Sequence, residues 1–541
     1  MHALTGPKGE PTIVFVGGDV RTMDPDHPHA TAVAVVGAQI AAVGEDAEVR
    51  ALAGPHTQII ELGGHTLTPG LVDAHCHLYG LGVDGDSVSV RALASEAATA
   101  EAVRVAALDR VPGEWLVGRG WDQNRWPGQQ FPTLASLDAV VRDRPVLLRR
   151  IDGHAVWLNS RALAAAKITA STKDPDGGRI LRDPKGAPTG VLVDNAVDLV
   201  DAVVPVPTAA MRERRILAAA QQAIAVGLTG VHEMGIEDET AAVYRKLAAE
   251  GRLPLRVYAF LQGNPNQLAR VRTAPEPDVG RFAMRGVKFF ADGALGSRGA
   301  RLQAEYSDDP GNRGLWVTAP EILGAAVDAA VASGWQVATH AIGDAAIMAV
   351  DDAYVAAMRK YEGDRRLRVE HAQVMPDDYD RMVEAKVVAS MQPTHATSDM
   401  PWAEQRLGPA RIKMAYAWRT MLAKGIPLAF GSDFPVEGVS PLLGIYAAVT
   451  RQDAAGEPAG GWYPKQKLTL DEAIAAFTRG AAYAQFADDT RGMIAVGRDA
   501  DLTAFDHALV ADRTLLDVKV SYTIVGGAIV YSATAPARTA P

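Results

Sequence analysis

The sequence predicts an α/β protein built on a TIM-type (β/α)8 barrel, with a small β-sandwich domain formed by both chain termini and an insertion after the first barrel strand. Three observations support this. From about 69 to 490 the chain alternates short apolar runs with helical segments, which is typical of parallel sheet. Both ends are instead rich in short strands and glycine turns. The stretch between His77 and Lys288 is much longer than its βα units require.

The chain termini together predict one composite β-domain, comprising 1–68 and 491–541. Short β-branched runs separated by glycine-rich turns indicate strands there. These runs lie at 12–16, 32–36, 39–43, 58–62, 499–505, 518–522 and 523–531.

The barrel is predicted over 69–490. Helical periodicity that ends on glycine or lysine indicates helices before successive strands. They are expected at 320–334, 345–360, 376–386 and 415–425, with a strand at 387–392. The insertion is expected at about 80–205, a stretch with several tryptophans and a Pro/Gly-rich segment, and we expect it to cover or line the barrel mouth.

Composition indicates an ordinary globular enzyme. Of 541 residues, 48% are hydrophobic and 22% charged, with a net charge of −10. The acidic balance argues against nucleic acid or an anionic membrane as a partner. No signal peptide or run of 18 apolar residues is evident, so no membrane span is expected. The single cysteine, Cys76, fits a reducing compartment. We therefore expect a cytoplasmic enzyme with a small-molecule substrate, and a homodimer is compatible with the sequence.

Six residues with metal-binding or acid–base side chains end short apolar runs. A parallel barrel gathers the C-terminal ends of its strands at one mouth, so these residues are expected to converge. They are His75, His77, Lys288, His340, His371 and Asp433.

Histidines form the largest part of this set. His75 and His77 lie two apart on a predicted strand and so face the same side, whereas Cys76 faces away and is expected to be a buried small residue. Taken alone, the pair is equally consistent with two surface histidines, and His340 and His371 with hydrogen-bonded residues of the rim. Together, neutral imidazoles indicate zinc or a similar divalent ion.

Asp433 and Lys288 each have a structural alternative. Aspartate is common at helix N-caps and turns, but beside a cation Asp433 is expected to act as a ligand that also moves a proton. Lys288 is either paired with a nearby carboxylate or carboxylated by CO2, since a protonated amine does not bind a cation. In the second case its two carbamate oxygens bridge two ions.

Five motifs carry a resemblance to a known family. They lie at 68–77, 288–298, 340–344, 369–373 and 431–435. In this order they resemble the amidohydrolase superfamily, and within it the amidohydrolase family 3 subgroup that contains N-substituted formamide deformylases. The likeness runs from Gly17 to about Leu502 and is specific for the subgroup but not for the substrate.

The resemblance implies a barrel with a split β-sandwich and a site for one or two divalent ions, with zinc favoured. His75, His77 and Asp433 would hold one ion and His340 and His371 the other. Carboxylated Lys288 would bridge them. Whether Lys288 is carboxylated decides between one ion and two.

Further residues are candidates for substrate contacts. His154 resembles a recurring motif of the subgroup and is a candidate contact to the substrate carbonyl, with a structural rim histidine as the alternative. His395 ends the strand between those of His371 and Asp433 and is a candidate oxyanion or substrate contact. Trp121 and Asp122 are candidates for an apolar pocket or for packing. His232 and Glu233 end another apolar run and are expected to be structural.

The resulting hypothesis is hydrolysis of the C–N bond of an N-substituted formamide or N-acyl amine through a metal-activated water. Asp433, His395 and His154 are the candidate catalytic residues. A deaminase or cyclic-amide hydrolase on the same barrel would use the same ligands. A non-catalytic binding protein should have lost a ligand, and a carbohydrate-active barrel would rely on paired carboxylates.

Overall fold

The computed structural model describes residues 9–111, 113–123, 126–150, 155–175, 178–265, 268–296 and 298–533. The chain forms two compact units, one comprising Met1–Tyr79 with Ile216–Pro541 and the other Gly80–Arg215. The second unit occupies the stretch between the first two strands of the barrel.

The N-terminal segment folds into short strands and one helical turn, α1 (Asp46–Arg50). The strands are β1 (Ile13–Val16), β2 (Asp19–Arg21), β3 (His29–Ala30), β4 (Ala32–Val36), β5 (Gln39–Gly44), β6 (Gln58–Glu61) and β7 (Thr66–Pro69). Four of them form a sheet in the order β5-β4-β1-β6. Their bounds agree with the predicted ones to within a residue or two.

The chain then enters the first barrel strand, β8 (Leu71–Cys76), and the second unit follows. Its strands are β9 (Val88–Ser89), β10 (Leu116–Trp121), β11 (Val146–Arg150), β12 (Ala155–Leu158), β13 (Gly178–Arg182) and β14 (Pro188–Asp194). They form one mixed sheet in the order β13-β14-β12-β11-β10-β9.

Helices pack against this sheet within the unit. Between β8 and the next barrel strand the helices are α2 (Leu78–Asp86), α3 (Glu96–Leu108), α4 (Leu134–Val140), α5 (Ser160–Ala165), α6 (Asp198–Asp201) and α7 (Ala209–Ala225). The indole rings of Trp121, Trp126 and Trp157 lie 6.1 to 6.3 Å apart, centroid to centroid, and are buried. Trp121 is therefore a packing residue of this core, which was one of the two roles expected from the sequence.

Seven further strands complete the barrel. They are β15 (Leu228–Ile236), β16 (Arg256–Gln262), β17 (Phe282–Phe290), β18 (Gln336–Ala341), β19 (Arg368–His371), β20 (Val388–Met391) and β21 (Leu428–Phe430). All pairings are parallel, in the order β21-β20-β19-β18-β17-β16-β15-β8. The two end strands meet through the backbone, since Asp433 N donates to His75 O at 2.7 Å and His77 N donates to Phe434 O at 2.8 Å. The prediction of a TIM-type barrel is confirmed.

Helices connect the barrel strands and follow the last of them. They are α8 (Asp238–Ala249), α9 (Pro320–Ala332), α10 (Asp344–Lys360), α11 (Asp380–Glu384), α12 (Pro393–Asp399), α13 (Ala403–Arg411), α14 (Trp418–Ala423), α15 (Pro441–Thr450), α16 (Leu470–Ala475) and α17 (Ala481–Ala484), with a π-helical turn at Ala476–Gly480. Proline opens α9 at a position where the amide hydrogen is not needed. The helix α11 is shorter than the predicted 376–386, and α14 is shorter than 415–425.

The C-terminal strands are β22 (Leu502–Phe505), β23 (Val520–Val525) and β24 (Ala528–Ser532). They extend β7, β2 and β3 into a six-stranded sheet, β24-β23-β22-β7-β2-β3. The predicted break between 522 and 523 is wrong. The chain turns instead at Gly526 and Gly527, whose φ angles of 58° and 73° suit a two-residue hairpin.

Buried side chains from both sheets form one apolar cluster, among them Phe15 and Val33 of the first and Leu67, Leu502 and Ile524 of the second. The predicted sandwich and its bounds, 1–68 with 491–541, stay predictions. Among the described residues, no helix has both the length and the apolar character needed to cross a membrane.

Candidate metal centre

The six predicted strand-end residues meet at the C-terminal mouth of the barrel. The ring centroids of His75 and His371 lie 4.6 Å apart, and so do those of His340 and His371. Asp433 Oδ1 lies 3.5 Å from His75 Nε2 and 3.1 Å from His77 Nε2. Lys288 Nζ lies 3.5 Å from His75 Nε2. Positions hundreds of residues apart in sequence thus share one small volume.

Two of the imidazoles present Nε2 to this volume because Nδ1 is already used. His75 Nδ1 donates to Glu370 Oε2 at 2.5 Å, and His77 Nδ1 donates to Met234 O at 2.9 Å. Each ring is therefore held in the tautomer whose Nε2 lone pair is free. A hydrogen bond from the second ring nitrogen is the usual way in which proteins orient a metal-binding histidine.

The two rings of the second pair, His340 and His371, are held through different nitrogens. His371 Nδ1 donates to Gln392 Oε1 at 2.8 Å and leaves Nε2 free. His340 is turned the other way, with Nε2 3.4 Å from Gly293 O and 3.6 Å from Asp292 Oδ1. Its Nδ1 is then the nitrogen available to a cation.

Burial favours the neutral form of three of these imidazoles, whereas for His77 the Asp433 carboxylate outweighs burial and raises the pKa. Loss of hydration, reinforced by the Lys288 ammonium, lowers the pKa of His75 to about 4 and that of His340 to about 3. Burial also holds the pKa of His371 well below its usual range, with His340 and His75 contributing. A neutral imidazole is the form that binds a metal ion.

Asp433 is the carboxylate of the cluster. Burial alone would raise its pKa, but the neighbouring imidazoles of His75 and His77, followed by His371 and His395, hold it well below its usual range. Its Oδ1 is buried and has no hydrogen-bond donor among the described residues, because His75 and His77 donate through Nδ1 to other acceptors. His75, His371 and Asp433 each offer one ligand atom, and these atoms lie within 4.8 Å of one another. An orphaned carboxylate oxygen facing imidazole lone pairs fits a cation.

Lys288 is buried among these side chains. Its amine lies 5.1 Å from the ring centroid of Phe290, which also packs 5.6 Å from the ring of His340. Burial lowers the pKa of Lys288 to about 8, against the opposing effect of the Glu370 and Asp433 carboxylates. The amine is thus deprotonated far more readily than an exposed lysine.

Beneath the site lies a charged network that sequence reasoning missed. Arg368 is fully buried, and its Nε donates to Glu370 Oε1 at 2.7 Å. It also donates to Ala74 O, Ser390 Oγ and His232 Nδ1. Burial would raise the pKa of Glu370, but Arg368 and His75 hold it well below its usual range. The signal was present in Arg368-Val-Glu-His371, since two charged residues with a spacing of two on an apolar strand face the same side.

Backbone conformation brings consecutive residues to the same point. Glu370 and His371 both reach His75, although neighbours in a regular strand face opposite sides. A positive φ of 72° at His371 turns the chain, and Asp433 has a φ of 62°. Such angles are uncommon for residues other than glycine and cluster at functional sites.

A second missed group, Asp73, supports the loop that carries Asp433. Its carboxylate accepts hydrogen bonds from Ser432 Oγ at 2.6 Å, from Ser432 N and from His75 N. Burial raises its pKa to about 7 despite these bonds. Asp73 thereby ties the strand of the first histidine pair to the segment after β21.

The remaining candidates are placed as follows. His395 lies in the first turn of α12, just after β20, and its Nε2 is 3.7 Å from Asp433 Oδ2. His154 lies outside the described residues. Asp122 pairs with Arg150 at 3.0 Å. Glu233 accepts from the backbone of Leu78 and Tyr79.

Comparison with known proteins places this geometry in a family. A family model described as the amidohydrolase family matches residues 58–531. The chain belongs to the amidohydrolase family.

Three relatives illustrate the similarity. YtcJ of Bacillus subtilis (strain 168) is 36% identical over 96% of this chain and 99% of its own. The N-substituted formamide deformylase of Arthrobacter pascens is 30% identical over 96% of this chain and 98% of its own. A crystal structure of an uncharacterized metal-dependent hydrolase from Pyrococcus furiosus has a TM-score of 0.76 and 27% identity, covering 91% of this chain and 98% of that chain.

This amidohydrolase is accordingly a metal-dependent hydrolase of carbon–nitrogen bonds, as the sequence predicted. The resemblance to the subgroup that contains N-substituted formamide deformylases is also confirmed.

Proposed function

We propose that this amidohydrolase hydrolyses an N-substituted formamide or a related N-acyl amine, releasing a carboxylic acid and an amine. The observation that carries the proposal is the orphaned Asp433 Oδ1 surrounded by the free lone pairs of His75 and His77. The near full-length similarity to the formamide deformylase of Arthrobacter pascens supports this substrate class.

We assign the ligands by the tautomers that the surrounding groups impose. His75 and His77, through Nε2, and Asp433 would hold one divalent ion, and His340 and His371 a second. Zinc is the favoured ion because imidazole and carboxylate suit it. When bound, the ion lowers the pKa of water and polarises the scissile carbonyl.

Lys288 is proposed to be carboxylated and to bridge the two ions. Its lowered pKa supports this, because only the neutral amine attacks CO2. The nitrogen lone pair forms a bond to the carbon of CO2 as one C=O π bond opens, and the amine loses a proton to solvent, which leaves a carbamate whose two oxygens share one negative charge. Carboxylation would turn a side chain whose ammonium form repels cations into an anionic ligand.

Asp433 is proposed to move the proton. Hydrolysis adds OH to the acyl carbon and H to the nitrogen, so a group near the attacking water must take its proton and return it to the departing nitrogen. The Asp433 carboxylate is ionised and lies at the centre of the site. His395, whose Nε2 is 3.7 Å from Asp433 Oδ2, is proposed to contact the oxygen of the tetrahedral adduct. The sequence motif alone supports a substrate contact for His154.

Two further proposals concern the cellular compartment and the domain bounds. The single cysteine, Cys76, is buried as a free thiol, which supports a cytoplasmic, reducing compartment. The pairing of β7 with β22 supports a composite β-domain, 1–68 with 491–541, beside a barrel of 69–490 with an insertion at about 80–205.

The test combines metal analysis with a substrate panel. Zinc-loaded protein is assayed with N-substituted formamides and N-acyl amino acids, following formate and free amine. Asp433→Asn should keep the fold and most of the metal but lose about 10²- to 10⁴-fold in kcat. Asp377→Asn, an exposed aspartate of the same barrel, is the control and should remain active. An active Asp433→Asn variant removes Asp433 from the proton-transfer role.

A further inference from the structure

Gln373 is a buried amide in the loop after β19, and the function described so far does not use it. Only 5% of its surface is exposed. Its Nε2 lies 3.2 Å from Nδ1 of His395. An amide nitrogen donates hydrogen bonds and does not accept them. Nδ1 of His395 must therefore be the acceptor, and the imidazole proton must lie on Nε2.

The other side of the His395 ring fits the same tautomer. Its Nε2 faces Asp433 Oδ2 at 3.7 Å, where an N–H group is attracted to the carboxylate oxygen and a nitrogen lone pair would be repelled by it. This Nε2 is buried and has no hydrogen-bond partner among the described residues. A buried donor without an acceptor costs free energy. Because the Nε2–H group of His395 is directed toward the proposed metal ligands, its acceptor would be an atom of the bound substrate.

The surrounding backbone holds this arrangement from both ends. The carbonyl oxygen of Gln373 accepts from Tyr416 N at 2.7 Å. The hydroxyl of Tyr416 donates to Asp399 Oδ2 at 2.6 Å, at the C-terminal end of the helix that carries His395. The carbonyl oxygen of Tyr416 in turn accepts from the buried Arg451 Nη1 at 3.0 Å. Amide and imidazole are thus fixed relative to one another.

We propose that Gln373 is a positioning residue that locks His395 in its Nε2–H tautomer, so that the imidazole donates a hydrogen bond to the oxyanion of the substrate's tetrahedral adduct. The inference rests on the proposed amide hydrolysis. Donors of this type act mainly in the transition state, and loss of one typically reduces kcat by about 10²-fold or more.

The kinetic test is a double-mutant cycle with Gln373→Met and His395→Gln. Gln373→Met keeps the side-chain length but removes the donor to Nδ1. We expect a fall in kcat of about 10²-fold, with KM and metal content little changed. Because both residues act through one hydrogen bond, the double variant should be no slower than His395→Gln alone. Additive losses would overturn the proposal.

A matched control separates tautomer from packing. Gln336 is similarly buried. It lies at the N-terminal end of β18, whereas His340 lies at the C-terminal end, and it donates to Arg366 O and Ala484 O. Gln336→Met should lower Tm and leave kcat unchanged. If it lowers kcat as much as Gln373→Met does, general loss of packing explains the effect and the proposal is wrong.

A spectroscopic measurement decides the tautomer without any turnover. In zinc-loaded protein labelled with ¹⁵N-histidine, the signals lost in His395→Gln belong to His395. We expect a protonated Nε2 and an unprotonated Nδ1 that accepts a hydrogen bond. A protonated Nδ1 overturns the inference. Failure of the wild-type protein to hydrolyse any member of the amide panel would instead refute the proposed function, and the ¹⁵N signals would still decide the role of Gln373.

Discussion

At Glu370 a single buried carboxylate serves two partners. One oxygen accepts from Arg368 and the other from His75. The arginine and the carboxylate compensate each other's desolvation, and removal of one partner leaves a buried charge unpaired. The same carboxylate sets the tautomer of His75, so we expect both stability and metal binding to depend on this one group.

Glu370→Gln tests this double role. It leaves the Arg368 guanidinium without an anion, and we expect a loss of about 3–5 kcal/mol in the free energy of unfolding. Zinc affinity should fall by about 10- to 100-fold because His75 is less firmly oriented. Urea unfolding and zinc titration measure the two effects. Glu384→Gln, which removes an exposed partner of Arg359, should change neither; equal losses in both variants would contradict this role of Glu370.

Lys288 gives the site a pH dependence whose sign follows from its pKa of about 8. Only the neutral amine reacts with CO2, and the neutral fraction rises as the pH rises through this value. Reactivation of metal-free protein by zinc, with the concentration of dissolved CO2 held constant, should therefore become faster from pH 7 to pH 9. Reactivation rates measured over this range should have their midpoint near pH 8. At constant CO2, a rate that is flat or falls with pH, or that does not depend on the CO2 concentration, would argue against carboxylation.

At the level of secondary-structure elements, the barrel closes where β8 contacts the segment after β21, and this contact sets the distance between the site residues. Gly431 lies where a Cβ would meet the His75 backbone nitrogen and the Asp73 carboxylate closer than real Cβ contacts allow. The absence of a side chain at this position lets the two strands approach closely enough for His75 and Asp433 to share a ligand position.

Gly431→Ala should force these strands apart. We expect a loss of about 1–3 kcal/mol in stability, together with reduced zinc content. Gly324→Ala is the control, because this helical glycine of α9 has no atom within 4 Å of its Cβ position. It should raise stability by about 0.5–1 kcal/mol. Thermal unfolding and metal analysis distinguish the two, and a Gly431→Ala protein with full zinc content would refute the closure argument.

Most elements were predictable because their signals are local. The apolar run of β4 and the proline that opens α9 follow from short stretches of sequence. The site residues at strand ends were equally accessible, since parallel strands end at one rim. The support of the site was only partly accessible. The spacing of Arg368 and Glu370 shows that they share one face of β19, but the roles of Arg368, Asp73 and Gln373 also depend on partners from other elements. The φ angles of His371 and Asp433, which bring their side chains inward, also depend on tertiary context.

On the scale of the whole molecule, both chain ends share one core. Leu502 near the C-terminus packs in the same apolar cluster as Phe15 and Leu67, and β7 leads directly into β8. The strand that carries the first histidine pair is therefore anchored by residues from the far end of the chain.

Leu502→Ala should cost about 2–5 kcal/mol in the free energy of unfolding, since it opens a cavity in this shared core. Zinc release and loss of secondary structure should occur at the same denaturant concentration. Val510→Ala, a change at a half-exposed position, should leave the unfolding midpoint nearly unchanged. Zinc retained after the terminal sheets unfold would show that the two ends are not coupled to the barrel.

The most direct test of the metal centre is anomalous scattering at the zinc edge from crystals of zinc-loaded protein. We expect one or two peaks at the barrel mouth, about 2.0–2.2 Å from the ligand atoms of His75, His77 and Asp433 and, for a second ion, of His340 and His371. Stoichiometric zinc whose peak touches none of these side chains would contradict it.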